Sequence, residues 1–348
     1  MLCWLVVSML LVVGCDSAPP AESLPDETPP TTDGGAPNDD TAAAPTAMPT
    51  TAMPSQFNGD GTTAKSEAPP KPEFVTASQM RERLGVGEDA NFERVGRGFV
   101  AAYLANSGVR DLSPLKGQEL QLLAVAANPL TSLAGVEGMP LRIIDLSETK
   151  IDSLAPLADC NDLEQVFLES TLVSDLSPLK GKRLTHLYVT DCPVADLSPI
   201  AGMRFQELNL CRTKIPDLSA FVEIESGILW LRGTQISDLT PLAGSSLVSL
   251  DVQETQVSDL TPLAEIPSLQ RLNIADTNVT DVTPLAKLPL SRLILSPGKI
   301  SQGMDLLRAM PTLQEIDTQF EGEQPKALPA SEFWERYDAG AFKTETAE

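Results

Sequence analysis

Groups able to do chemistry are few in this sequence, and they are scattered. The one histidine is His186, and the five cysteines are Cys3, Cys15, Cys160, Cys192 and Cys211. No two cysteines have C-x-x-C spacing, and a single histidine cannot complete a zinc site with them. A nucleophilic pair would need Cys211 beside His186, with Glu207 orienting the ring, but nothing in the pattern supplies an oxyanion site. An aspartate recurs along much of the chain, which suggests calcium. Calcium, however, takes six to eight oxygens gathered at one place, and these residues come singly. What remains is the chemistry of recognition. Phe167, Tyr188, Asn209 and Trp230 follow one another at intervals of 21 residues. Three large aromatics in one register are unusual in a chain with only ten Phe, three Tyr and three Trp.

That interval belongs to the whole body of the chain. The tag Asp-Leu-Ser/Thr-Pro-Leu, or a near variant, begins at Asp111, Ser132, Ser153, Asp175, Asp196, Asp217, Asp238, Asp259 and Asp281, at steps of 21 or 22 residues. Self-similarity at such a period marks a solenoid. Between tags runs L-x-x-L-x-L-x-x-T-x-V, seen in Leu163, Val166, Leu168, Thr171 and Val173 and again in Leu247, Leu250, Val252, Thr255 and Val257. Its L-x-L centre has period two, so it predicts a short strand with alternate residues turned inward. Asn128 in one repeat and Thr149, Thr171, Thr213, Thr234, Thr255 and Thr277 in six face inward and satisfy backbone groups left open by the turn. Cys192 takes the same place once and is expected to be a buried thiol. In the tag Asp238-Leu239-Thr240-Pro241-Leu242, Thr240 is expected to cap a short helix and Pro241 to begin it, with the aspartate supporting the turn. A single repeat buries six or seven aliphatics, at roughly 1.5–3 kcal/mol each. It must offset roughly 1–2 kcal/mol of backbone entropy per residue. Only stacking on neighbours closes that gap.

The pattern resembles the 21–22-residue leucine-rich repeats of bacteria, the internalin-like group in particular, over about Phe99 to Phe320. The resemblance implies an α/β solenoid: an arc with short parallel strands on its concave face and short helical or 3-10 turns on the convex side. Similar arrays occur attached to bacterial serine/threonine kinases. This sequence has no Gly-rich nucleotide loop, H-R-D or D-F-G, so no kinase activity carries over.

In such an arc the residues between core positions stack in columns on the concave face. The middle column is Ala124, Asp145, Phe167, Tyr188, Asn209, Trp230, Asp251, Asn273 and Ile294. One flanking column carries Gln165, His186, Glu207, Arg271 and Arg292, and the other Glu169, Thr190, Cys211, Arg232 and Gln253. Asp145, Glu148, Glu169 and Asp191 make the early end acidic, while Arg212, Arg232, Arg271 and Arg292 make the late end basic. The aromatics are expected to stand exposed at the centre as binding anchors. The partner-binding set is therefore Phe167, Tyr188, Asn209, Trp230, Asp251, Glu169 and Arg232.

The flanks complete the organisation. Residues 1–15 are apolar, too short to span a bilayer as a helix, and end in Val12-Val13-Gly14-Cys15, which resembles the bacterial lipobox with Cys15 as the lipidated residue. No Lys or Arg precedes the apolar run, a departure from the usual signal peptide. Residues 16–73, rich in Pro, Thr and Ala, cannot bury enough apolar surface to fold and are expected to form a tether. Residues 74–98 form an N-terminal cap with a short helix from Thr76. The repeat domain covers 99–320. Residues 321–348 hold a capping helix in which Phe333, Trp334 and Tyr337 cover the last repeat. Forty-eight acidic against twenty-five basic residues give a net charge of −23, which makes nucleic acid a poor partner.

Taken together, these features describe a monomeric, lipid-anchored protein of the bacterial cell envelope. It binds a protein or peptide on its concave face and has no enzymatic activity, cofactor or metal. The alternatives are a glycan binder, a purely structural envelope component, and a regulatory module related to the kinase-attached arrays.

Overall fold

The computed structural model describes residues 75–222, 224–318 and 328–342. The lipobox cysteine Cys15, the leader and the tether lie outside the described residues. Among the described residues, twelve strands form one sheet in strict sequence order. They are β1 (Asn91–Val95), β2 (Gly98–Tyr103), β3 (Leu122–Ala124), β4 (Ile143–Asp145), β5 (Gln165–Phe167) and β6 (His186–Tyr188), followed by β7 (Arg204–Asn209), β8 (Glu225–Trp230), β9 (Ser249–Asp251), β10 (Arg271–Asn273), β11 (Arg292–Ile294) and β12 (Glu315–Asp317). All pairs from β2 onward are parallel. Only β1 runs antiparallel to its neighbour, turned back at Gly96, whose φ of 62° suits glycine. The chain is a leucine-rich-repeat solenoid. Its strands stack at hydrogen-bonding distance while bulkier turns line the opposite side, so the sheet forms the inner face of the arc.

The core is the set of inward columns. In one repeat Leu163, Val166, Leu168, Val173, Leu176 and Leu179 are all 0 or 1% exposed. Five inward threonines hold the turns after their strands: the hydroxyls of Thr149, Thr213, Thr234, Thr255 and Thr277 donate to the carbonyl three residues back at 2.6–2.7 Å. Asn128 does more, accepting from Val109 N at 3.0 Å and donating to the carbonyls of Leu104 and Val125 at 2.7 and 2.8 Å. Cys192 is buried and donates to Leu168 O at 3.0 Å. The turns after β2 to β10 each also hold a residue in the left-handed region, among them Glu148, Ser170, Asp191, Arg212, Glu254 and Asp276 at φ 54–59°.

The tag works differently from its expected form. Ser113, Ser177, Ser198, Thr240, Thr261 and Thr283 each begin a short 3-10 helix with proline second, and the residue before each makes no side-chain cap. The cap comes from the aspartate two residues earlier. Oδ1 of Asp111, Asp175, Asp196, Asp217, Asp238, Asp259 and Asp281 each accepts the N–H two positions on, at 2.8 Å. Thr240 is thus the capped residue, not the cap. The reason is length: a one-turn helix leaves few open N–H groups, and an Asx turn reaches the first of them.

Both ends are covered. Helix α1 (Ala77–Leu84) carries a capping box between Thr76 and Gln79 and buries Met80 and Leu84. Beyond the short α2 (Met304–Arg308), helix α3 (Ala330–Asp338) buries Phe333 completely, with Trp334 and Tyr337 packed beside it. Arg308 fixes α3 by lying over Trp334 at 4.6 Å and pairing with Asp338 at 2.6 Å.

Candidate functional site

The solvent face of the sheet carries three outward columns, and the strand register puts the middle one in the order that the repeat implies. Phe167 pairs with Tyr188, Tyr188 with Asn209, Asn209 with Trp230, Trp230 with Asp251, Asp251 with Asn273, and Asn273 with Ile294. The expected exposure fails, however. Phe167 is 1% exposed, Tyr188 6% and Asn209 9%, and only Trp230 is half-buried. The Phe167 and Tyr188 rings meet edge to face at 5.0 Å. Tyr188 and Trp230 meet in the same way at 5.8 Å, across the strand that carries Asn209. Parallel strands lie only about 4.8 Å apart, so adjacent large rings cover one another before they meet solvent. The Tyr188 hydroxyl also donates to Glu207 on the next strand.

The polar members of this column act on their own backbone. Asn209 Oδ1 accepts Cys211 N at 3.0 Å, Asp251 Oδ1 accepts Gln253 N at 2.8 Å, and Asp145 and Asn273 make the same bond to Ser147 and Ala275. The second oxygen of Asp251 accepts Asn273 Nδ2 at 3.1 Å. Burial pushes the Asp251 carboxyl above the usual range, against the lowering effect of those hydrogen bonds. Asn209 and Asp251 are therefore strand-end caps as well as surface residues. Arg232 pairs with Glu254 at 2.5 Å across the rim, and Glu169 is half-buried in the same flanking column, three strands earlier.

The nucleophile pair does not form. His186 lies beside Glu207 in register, but its Nδ1 is bonded to Thr185 Oγ1 at 2.9 Å, and Glu207 takes the Tyr188 hydroxyl. Cys211 is buried, which pushes its thiol up to about 12, the reverse of an activated cysteine. Among the described residues no group of three His, Cys, Asp or Glu is placed to hold a metal. No helix among them is long and apolar enough to cross a membrane.

What the structure does bring together is a depression of about 290 Å³ across β8–β11. Trp230, Ile228 and Ile294 give it apolar walls, Asp251 and Asn273 lie at its floor, and Arg271, Arg292 and Ser249 supply its remaining polar lining. Of the residues expected at the site, only Trp230 and Asp251 line it. Phe167, Tyr188, Asn209, Glu169 and Arg232 do not. Ile228, Ile294, Arg271 and Arg292 enter in their place. One signal for this set was present: Ile228 puts an aliphatic in a flanking column that is otherwise mostly polar, and Arg271 and Arg292 stand next to each other in it.

Among solved structures, an internalin, InlF, from Listeria monocytogenes superposes with a TM-score of 0.56 at 22% identity, covering 69% of this chain and 80% of that one. Internalin C2 from the same species is 25% identical with a TM-score of 0.40, covering 56% of this chain and 80% of its own. The first likeness shows the fold. No protein-family model matches the chain. No curated protein matches it either.

Proposed function

We propose that the chain is a non-catalytic binding protein that takes a protein or peptide segment on its sheet face, with the depression across β8–β11 as the anchor point. The observation that carries this is the concentration of accessible apolar and basic side chains at that one place. Elsewhere on the face the aromatics pack on one another and the Asx side chains serve their own backbone. A half-buried tryptophan in a shaped depression is the usual form of an energetic anchor in a protein interface. A glycan is less well served, because the floor groups that would meet its hydroxyls are already bonded internally.

The test compares full-length protein, Trp230→Ala and Val222→Ala as baits against extract of the source cells. Val222 is 78% exposed on the turn side of the solenoid and serves as the control. A partner held by the parent and Val222→Ala but lost by Trp230→Ala, with equal folding by circular dichroism, supports the reading; identical recovery by all three overturns it.

The same proposal places the protein at the cell envelope as a lipid-anchored monomer, on the strength of Val12-Val13-Gly14-Cys15 and the Pro-rich segment after it. Expression in a bacterium fed an alkyne-tagged fatty acid should label the parent and not Cys15→Ala. Label on both variants, or on neither, counts against the anchor.

A further inference from the structure

We propose that the depression recognises an acidic segment of a peptide: a carboxylate pairs with Arg271 while an adjacent apolar side chain lies against Trp230 and Ile228. This rests on the peptide-binding reading and adds the chemistry of the ligand.

The argument begins with which arginines on and around this face are already paired. Arg212 pairs with Asp191, Arg232 with Glu254, and Arg292 with both Asp317 and Glu315. Arg271 is exposed and, among the described residues, makes no ion pair. Its neighbours in register are Ser249, which is neutral, and Arg292, whose guanidinium turns to the carboxylates on β12. Other cations among the described residues are also unpaired; what sets Arg271 apart is that it lines the depression. The Arg292 charge is offset by the β12 carboxylates, which leaves Arg271 as the lining cation open to an anion.

The rest of the depression narrows the ligand further. Asp251 and Asn273 bond to each other, to Gln253 and to the backbone N–H groups of Gln253 and Ala275. A ligand that needs many hydrogen bonds finds few free partners there. The Arg271 guanidinium offers a planar fork suited to a carboxylate, and Trp230 and Ile228 offer apolar area next to it. One carboxylate beside one aliphatic or aromatic side chain uses what is open and asks nothing of what is closed.

The probe is an array of fluorescein-labelled hexapeptides with one Asp or Glu next to Leu or Phe, each matched by the Asn or Gln version. Binding is read by fluorescence anisotropy on the full chain. Acidic members should bind about tenfold or more tightly than their amide partners. The preference should shrink as salt rises from about 0.05 M to about 0.5 M. Arg271→Gln should erase it, whereas Trp230→Ala should weaken both series together. Because Arg271 is exposed, its replacement leaves the core intact. Equal binding of acidic and amide peptides, or a preference that survives Arg271→Gln, overturns this inference and leaves the peptide-binding reading standing. No binding by any hexapeptide, with or without binding of a uronic-acid oligosaccharide, overturns both.

Discussion

The two halves of the sheet face are built from the same repeat and reach opposite states. From β5 to β7 the middle column is Phe167, Tyr188 and Asn209, all buried, with the rings edge to face. From β8 to β11 it is Trp230, Asp251, Asn273 and Ile294, and a depression opens over it. The difference lies in side-chain volume at fixed strand spacing. Two large rings on neighbouring strands fill the space above the sheet, whereas short Asx side chains bonded to their own backbone leave it empty. An aromatic column is thus not in itself a binding surface. One half is packed shut, and the other, with Trp230 at the junction of the two, is the one proposed to take a ligand.

The sharpest way to break this comparison is to truncate one ring in the sealed half. Phe167→Ala should destabilise the fold by about 3–5 kcal/mol, read as a lower urea midpoint. Peptide affinity, measured where the protein is still folded, should not change. If Phe167→Ala instead costs little stability and abolishes binding, the two halves have been assigned the wrong way round.

A smaller effect separates the halves by pH. Burial raises the Asp251 carboxyl, so between the unfolded value near about 3.9 and the raised folded value the native state holds the extra proton. Over that window this group makes stability fall as pH rises. Exposed tag aspartates act in the opposite sense. The Ser or Thr two residues on donates hydrogen bonds that hold Asp111, Asp175, Asp217, Asp238 and Asp259 below the usual range, so their contribution is lost as pH falls through those lowered values. Asp251→Asn keeps the acceptor for Gln253 N–H and removes the charge. Its stability should therefore fall less steeply with rising pH than the parent's, with about 1 kcal/mol lost for the broken Asn273 bond. Thermal midpoints measured across that window in both proteins would show it, and parallel curves would mean that Asp251 is not buried as described.

Much of this architecture is legible in the residues alone. The step of 21 or 22 residues set the repeat, and the L-x-L alternation set which residues turn inward, because strand period is a property of the backbone. The inward Asn128 and the threonines followed from the demand that buried carbonyls and N–H groups find partners. The order of the middle column from Ala124 to Ile294 was readable too, since register in a stacked repeat follows the period. Strand β1 was not, because it lies outside the repeat and is shaped by its own turn at Gly96.

What the sequence determined, then, was position: which residues share a column, and in what order. What only the tertiary structure decided was accessibility and partnership. Whether Phe167 is covered depends on the ring of Tyr188 one strand away. Whether Arg271 or Arg292 is left open depends on the carboxylates of β12. Both are contacts between residues at least a repeat apart, set by volume and geometry that a one-dimensional pattern does not carry.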